Sequence, residues 1–224
     1  MPAAKAVRVP ATLPAGTPAA ALMQGLTALT MIRESYAVQA GDWILVHAAA
    51  GGVGVLLCQL LRAIGARVIG TASTPSKIHL AKENGAEFMI NYASEDWVAR
   101  VKEITSGNGV AAIFDGVGAA TFEGDLEALA RKGSLVSFGN ASGVVPPFAI
   151  SRLAPKNLKI CRPVMLTYIH ERGEFEGYVV ELFRFIADGK LNIRVYKVYP
   201  LAEVAEAHRD LEGRRSTGKL LLKP

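Results

Sequence analysis

The stretch that most constrains this chain is His47-Ala48-Ala49-Ala50-Gly51-Gly52-Val53-Gly54. It follows a short, nearly all-apolar run, Asp42-Trp43-Ile44-Leu45-Val46, and opens a segment in which Val53, Leu56, Leu57, Leu60, Leu61 and Ile64 recur at helical spacing. A strand that turns through glycines directly into a helix leaves the first helical N–H groups unpaired, at the positive end of the helix dipole. Gly51 lets the backbone approach a diphosphate, and Gly54 lets the helix pack closely on the strand. Elsewhere such a glycine cluster is only a tight turn; at a strand–helix junction it is a dinucleotide fingerprint, with Ala50, Gly51, Gly52, Val53 and Gly54 as candidate contacts. Ala49 stands where the first glycine is usual, so a slightly different turn is expected there.

The rest of the chain repeats the alternation. Arg67 to Gly70 is a second strand, and a helix follows with Thr74 as N-cap, Pro75 at its first position and Asn84-Gly85 as its stop. Phe88 to Ile90 is the next strand. Ser94 is expected to cap a helix carrying Trp97, Val98, Val101 and Ile104 on one face. Ile113-Phe114 and Leu135-Val136 head two more strands, separated by a helix through Phe122, Leu126 and Leu129. Apolar runs alternating with helices imply an α/β fold, a doubly wound parallel sheet of the Rossmann type covered on both faces. Beyond about residue 165 the pattern changes: a long helix (Phe175, Val179, Leu182, Phe183, Ile186, ending at Gly189), a strand at Tyr196 to Tyr199, a helix around Val204 to Leu211 and a strand at Leu220 to Leu222. These pieces are too few for a core of their own, and are expected to be the C-terminal portion of an incomplete second domain.

The preferred coenzyme is decided after the second strand, where an acidic side chain ordinarily receives the ribose 2′-hydroxyl of NAD. Gly70 to Lys77 contains no acid, and offers Ser73, Lys77 and a helix N-terminus instead. That chemistry suits a phosphate and favours NADP, although Lys77 also reads as an ordinary surface lysine. Two further strand ends, Asp115-Gly116-Val117-Gly118 and Phe138-Gly139-Asn140-Ala141-Ser142-Gly143, keep open backbone on the same edge, where a nicotinamide would lie.

A net charge of +5 and a pI near 9.3 raise the question of nucleic acid, but the basic residues are scattered apart from Arg214-Arg215 and no aromatic-interleaved basic stripe accompanies them. Cys58 and Cys161 lack metal-ligand spacing, which argues against a structural metal and for a reducing compartment, the cytoplasm. Pro10, Pro14 and Pro18 interrupt the Ala-rich start, so no signal peptide is expected, and no apolar run reaches the roughly 18 residues of a membrane span. His47, His79, His170 and His208 show no triad or metal spacing and read as structural or exposed.

Taken together, His47 to Gly54, Gln24-Gly25-Leu26-Thr27-Ala28, Ser137 to Gly143, Asn91-Tyr92 and Thr217-Gly218-Lys219-Leu220-Leu221 resemble the zeta-crystallin-like quinone oxidoreductases of the medium-chain dehydrogenase/reductase superfamily. The resemblance runs over nearly the whole chain. It implies NADPH, with its 2′-phosphate held by Lys77, Tyr92 and an arginine near the C-terminus, Arg214 by its spacing from Gly218 with the neighbouring Arg215 as the alternative, and with Thr27, Val53, Phe138 and Asn140 along the coenzyme. It implies hydride transfer to a quinone without zinc, since the cysteine that zinc-dependent relatives carry near Met23-Gln24 is missing here. It also implies a homodimer paired through Leu158 to Arg162. Full-length members begin with a separate GroES-like catalytic domain, so residues 1–17 are expected to be its remnant, 18–165 the NADPH-binding domain and 166–224 the segment returning to it. The alternatives are an NADPH-dependent enone or alkenal reductase and, from another class, a non-enzymatic NADPH- or RNA-binding module. The residues single out no catalytic proton donor.

Overall fold

The computed structural model describes residues 6–213 and 218–224. Its centre is a six-stranded parallel sheet in the order β3-β2-β1-β4-β5-β6, with β1 at Trp43–Val46, β2 at Arg67–Ala72, β3 at Phe88–Asn91, β4 at Val110–Asp115, β5 at Leu129–Ser137 and β6 at Lys159–Cys161. The chain builds outward from β1 to β3, then crosses back to β4 and builds outward on the other side. The strand order therefore reverses between β1 and β4, which opens a crevice at their carboxyl ends.

Alternation along the strands sends side chains to two layers. Ile44, Val46, Val68, Phe114 and Val136 join the core under α1 (Thr17–Thr30) and α2 (Gly52–Ile64). Leu45, Ile69, Ile113 and Leu135 join the opposite core with Val101 of α4 (Trp97–Ile104) and Phe122 and Leu126 of α5 (Phe122–Ala128). Both layers are dry, which explains why the strands read as unbroken apolar runs. Between β2 and β3, α3 (Pro75–Glu83) starts as expected, with Thr74 Oγ1 accepting the Lys77 N–H and Pro75 in the first turn.

Several boundaries differ from the sequence expectation. Asp96, not Ser94, caps α4: its carboxylate accepts the N–H groups of Val98 and Ala99 at 3.0 and 3.1 Å, while the Ser94 N–H is used in a turn onto the Asn91 carbonyl. Leu129 lies outside α5 and begins β5. The Lys156 ammonium closes that junction by donating to the carbonyls of Leu126, Glu127 and Leu129. β4 and β5 begin well before the residues taken as their heads, because Val110 and Leu129 already pair there. Two elements carry no strong signal in the sequence: α1, whose buried residues are mostly alanine and glycine, and the π-helical turn Met31–Ser35 that extends it.

After the short α6 (Met165–Tyr168), α7 (Arg172–Ala187) packs on α1 and contributes Val179, Leu182 and Phe183 to the first core. The approach is close: a Cβ on Gly25 of α1 would lie 2.7 Å from Leu182 Cδ1. By contrast, β7 (Val195–Pro200) and β8 (Lys219–Lys223) form a separate two-stranded sheet beside α8 (Val204–Glu212), leaving Tyr196, Val198, Leu201 and Leu222 exposed.

Candidate functional site

The turn after β1 is held by main-chain bonds to both neighbouring strands. The His47 N–H donates to the Phe114 carbonyl of β4, and the Ala49 N–H to the Thr71 carbonyl of β2. Ala48, rather than Ala49, takes the left-handed conformation (φ 49°), and Gly51 N–H closes back onto the Ala48 carbonyl at 2.8 Å. Ala49 is fully buried, with its methyl against Gly70, where a Cβ would come within 2.7 Å of it. The expected departure from the usual turn is thus met by shifting the left-handed residue one place earlier.

Gly51 is the N-cap of α2 in an extended conformation (φ −75°, ψ 170°), and no side chain caps the helix. Its first i to i−4 bond is Val55 N–H to the Gly51 carbonyl, so the preceding amides have no partner within the helix. Gly54 needs to be glycine: a Cβ there would stand 2.3 Å from the Ala48 carbonyl oxygen. A Cβ on Gly52 would meet only the Gln24 side chain, at 2.2 Å. Val53 is half-buried in the first turn and packs on the core.

Three recesses lie along this edge. One, of about 240 Å³, is lined by Ala50, Gly51, Ser73, Lys77 and Tyr92 together with Ala48 and Ala72. It contains no carboxylate, and among the described residues no ion pair engages Lys77. At the other end Thr27 and Phe138 face a recess of about 170 Å³ with Thr30, Met31, Pro163 and Met165. Gln24, Ala50, Gly51 and Gly52 border a third recess, which adjoins the first at Ala50 and Gly51 and which Arg194, Gly218 and Lys219 reach from the C-terminal segment. Those two cations escape the sequence reading, since the bonds of Asn192 to Gln59 and the pairing of β7 with β8 bring them beside a turn more than one hundred residues away. Arg214 and Arg215 lie outside the described residues.

Val117, Gly139 and Asn140 sit at the ends of β4 and β5 but line none of these recesses; they belong to two interlocked turns. The Val117 N–H donates to Asp115 Oδ1 at 2.7 Å, the Ser142 hydroxyl to the Val117 carbonyl at 2.8 Å, and a Cβ on Gly139 would come within 2.4 Å of the Gly116 carbonyl. The turns place Phe138 over Gly116 and toward Thr27.

Of the histidines, His79 and His170 are exposed beside Glu83 and Glu171, whereas His47 is buried between Thr71 and Asp125. Burial pushes the Cys58 thiol up to about 12, so it is no nucleophile. Among the described residues no three His, Cys, Asp or Glu side chains come together as a metal site requires. No helix among them is long and apolar enough to cross a membrane.

Residues 52–184 match the zinc-binding dehydrogenase family. A probable quinone oxidoreductase of Schizosaccharomyces pombe is 47% identical over 215 residues, which is 96% of this chain and 65% of that protein. A 2-haloacrylate reductase of a Burkholderia species is 36% identical over 227 residues, covering 100% of this chain and 68% of that protein. Among solved structures, Escherichia coli quinone oxidoreductase complexed with NADPH superposes with a TM-score of 0.94 at 41% identity, over 99% of this chain and 69% of that one. The chain spans about two thirds of the length of these relatives. With the doubly wound sheet and the glycine turn at its switch point, these likenesses establish that the chain belongs to the quinone oxidoreductase family within the medium-chain dehydrogenase/reductase superfamily.

Proposed function

We propose that this chain is the NADPH-binding portion of a zinc-independent oxidoreductase that passes hydride from NADPH to a quinone. The observation that carries the proposal is that two adjoining recesses share Ala50 and Gly51 of the glycine turn, one of them lined by Lys77, while a third is lined by Phe138 at the end of a neighbouring strand. The glycine cradle fits a diphosphate: Gly54 brings the start of α2 down onto the Ala48 carbonyl, and the amides of Gly52, Val53 and Gly54 have no partner within the helix. Ser73, Lys77 and Tyr92, with no acid among them, fit a ribose that carries a phosphate. Thr27 and Phe138 fit the nicotinamide end, where an apolar floor keeps water from the reacting face. The bound coenzyme would supply the hydride itself, and this chain's residues bind and orient it. Val117, Gly139 and Asn140 act in this scheme by fixing the turn that carries Phe138.

Titration with NADPH and NADH, followed by an assay with a simple quinone, tests the proposal. The chain is expected to prefer NADPH; indifference to both coenzymes would overturn it. Turnover is expected to need more than this chain, because the substrate cleft's other wall is attributed to the family's N-terminal domain. The exposed faces of β7 and β8 are where that domain would dock, so that within 166–224 α7, which shares the core of α1 and α2, would go with residues 18–165 and the two strands with that domain. A second reading, an enone or alkenal reductase, is favoured by the 2-haloacrylate reductase likeness, and a substrate panel separates the two.

Pairing of two copies through β6 belongs to the same proposal. β6 is one of the two outer strands of the sheet, and among the described residues no strand pairs with its far side; an open edge is better covered than exposed. Light scattering after size exclusion is expected to give twice the 23.8 kDa chain mass; a strict monomer would count against it. Two free thiols suit a reducing compartment, for which the cytoplasm is proposed.

A further inference from the structure

Beneath the glycine turn lies a buried polar chain that nucleotide binding does not use directly. His47 Nδ1 is 3.0 Å from Thr71 Oγ1 of β2, and His47 Nε2 is 2.8 Å from Asp125 Oδ1 of α5. Asp115, at the end of β4, accepts the N–H groups of Val117 and Gly118 at 2.7 and 3.0 Å and lies 3.0 Å from the Thr121 hydroxyl. His47, Thr71, Asp115 and Asp125 are all buried, and the edge of Trp97 seals the imidazole at a centroid distance of 4.7 Å.

One atom does not balance. Among the described residues Asp125 Oδ2 is buried without a donor, while the Asp115 carboxyl group is near enough to the Asp125 carboxyl to act on it through charge and hydrogen bonding. Two acceptors that face each other out of water are satisfied only if a proton lies between them. Placing it on Asp125 makes every direction consistent. The Thr71 hydroxyl donates to His47 Nδ1, His47 Nε2–H donates to Asp125 Oδ1, Asp125 Oδ2–H donates to Asp115, and Asp115 keeps its remaining donors. A second proton on the imidazole instead would leave Oδ2 orphaned.

We infer that Asp125 is a positioning residue that bridges to Asp115 through its own proton, and that the chain Thr71–His47–Asp125–Asp115 is the strut that sets the spacing of the turns after β1 and β4. The strut joins β2, β1, α5 and the end of β4. Those are the elements that place the cradle, the Lys77 recess and the Val117 turn. The inference rests on the nucleotide reading of that edge. Loss of the bridging proton sets two carboxylates against each other and loosens the turns, so coenzyme affinity falls.

The sign follows from burial, which pushes the Asp125 carboxyl up to about 6 against the opposing pull of His47. The bridge is therefore present at low pH and lost as pH rises through that value. The titratable groups facing Asp125 are His47 from β1 and Asp115 from β4. Lys102 of α4 reaches α5 only at exposed Glu127, and Lys156 only at its last carbonyls.

The test compares the full chain with Asp125→Asn, whose amide keeps both an acceptor for His47 and a donor for Asp115 but cannot titrate. Infrared spectra of the unmodified chain at about pH 5 are expected to show a buried protonated carboxyl band that fades with a midpoint near 6 and is missing from Asp125→Asn. The NADP⁺ Kd of the unmodified chain divided by that of Asp125→Asn is expected to rise from near unity at about pH 5 to several-fold by about pH 8. The ratio removes the coenzyme's own phosphate, which ionises over the same range. Absence of the band, or a ratio flat across the range, overturns the inference. If the chain binds no NADP⁺ at all, the nucleotide reading fails while the infrared band still decides where the proton sits.

Discussion

Gly54→Ala is expected to lower the unfolding free energy by about 3 kcal/mol and to abolish NADPH binding, whereas Gly52→Ala should leave stability almost unchanged. The two glycines are neighbours in one turn of α2, yet the added methyl meets different obstacles. At Gly54 it would lie 2.3 Å from the Ala48 carbonyl oxygen and 2.9 Å from the Ala49 backbone. That backbone cannot yield, because the amides of His47 and Ala49 are tied to β4 and β2 and Gly51 N–H is bonded to the same Ala48 carbonyl. Relief comes only by lifting the start of α2 off the sheet, which opens the packing of Leu56, Leu57 and Leu60 and moves the amides that grip the diphosphate. At Gly52 the obstacle is the Gln24 carboxamide, the far end of a flexible side chain that can swing away. Urea unfolding followed by the fluorescence of Trp43 and Trp97, with NADPH titration of each variant, checks both halves. A Gly54→Ala chain as stable as its parent would show that the turn is not under this constraint.

The same contrast explains what the sequence could and could not convey. Strand–turn–helix order, the N-cap at Thr74 and the alternation of strands and helices are local: each is set by a few adjacent residues, and each is found where the pattern places it. Ser73, Lys77 and Phe138 were legible as neighbours of strand ends, because parallel strands in a doubly wound sheet send their carboxyl ends to one edge, whereas Tyr92 and Thr27 came only with the family resemblance. The misses are contacts made at a distance. Asp125 lies 78 residues from His47, so no spacing rule links them, and a lone acid in a helix looks like surface. Arg194 and Lys219 arrive beside the glycine turn through long-range contacts, the two bonds between Gln59 of α2 and Asn192 and the pairing of β7 with β8. α1 is hidden for another reason: its contact face is mostly Ala and Gly, which permits close helix packing on α7 while leaving little hydrophobic periodicity to detect.

In the proposed reading, Lys77 carries most of the choice between coenzymes. Lys77→Ala is expected to weaken NADPH binding by about 10- to 100-fold, the equivalent of about 1.5–3 kcal/mol for a lost charged hydrogen bond, while NADH affinity changes by less than about two-fold. Lys77 stands in the first turn of α3, where Thr74 fixes the helix start and Pro75 fixes its direction, so its ammonium is delivered to the recess shared by Ser73 and Tyr92. No carboxylate lines that recess to neutralise it or to receive a free 2′-hydroxyl in its place. A phosphate there gains the lysine's charge and the amides of the helix N-terminus together, and an unphosphorylated ribose gains neither. The difference should shrink as salt is added, because the recess is open and screening acts on an exposed pair within about 10 Å at 0.1 M ionic strength. Lys77→Asp should go further and bring the two coenzymes close to parity, by repelling the phosphate and accepting a hydrogen bond from the hydroxyl. Calorimetric titration of both variants with both coenzymes distinguishes this from the behaviour of an ordinary surface lysine, whose removal would shift NADPH and NADH alike by a small and equal factor.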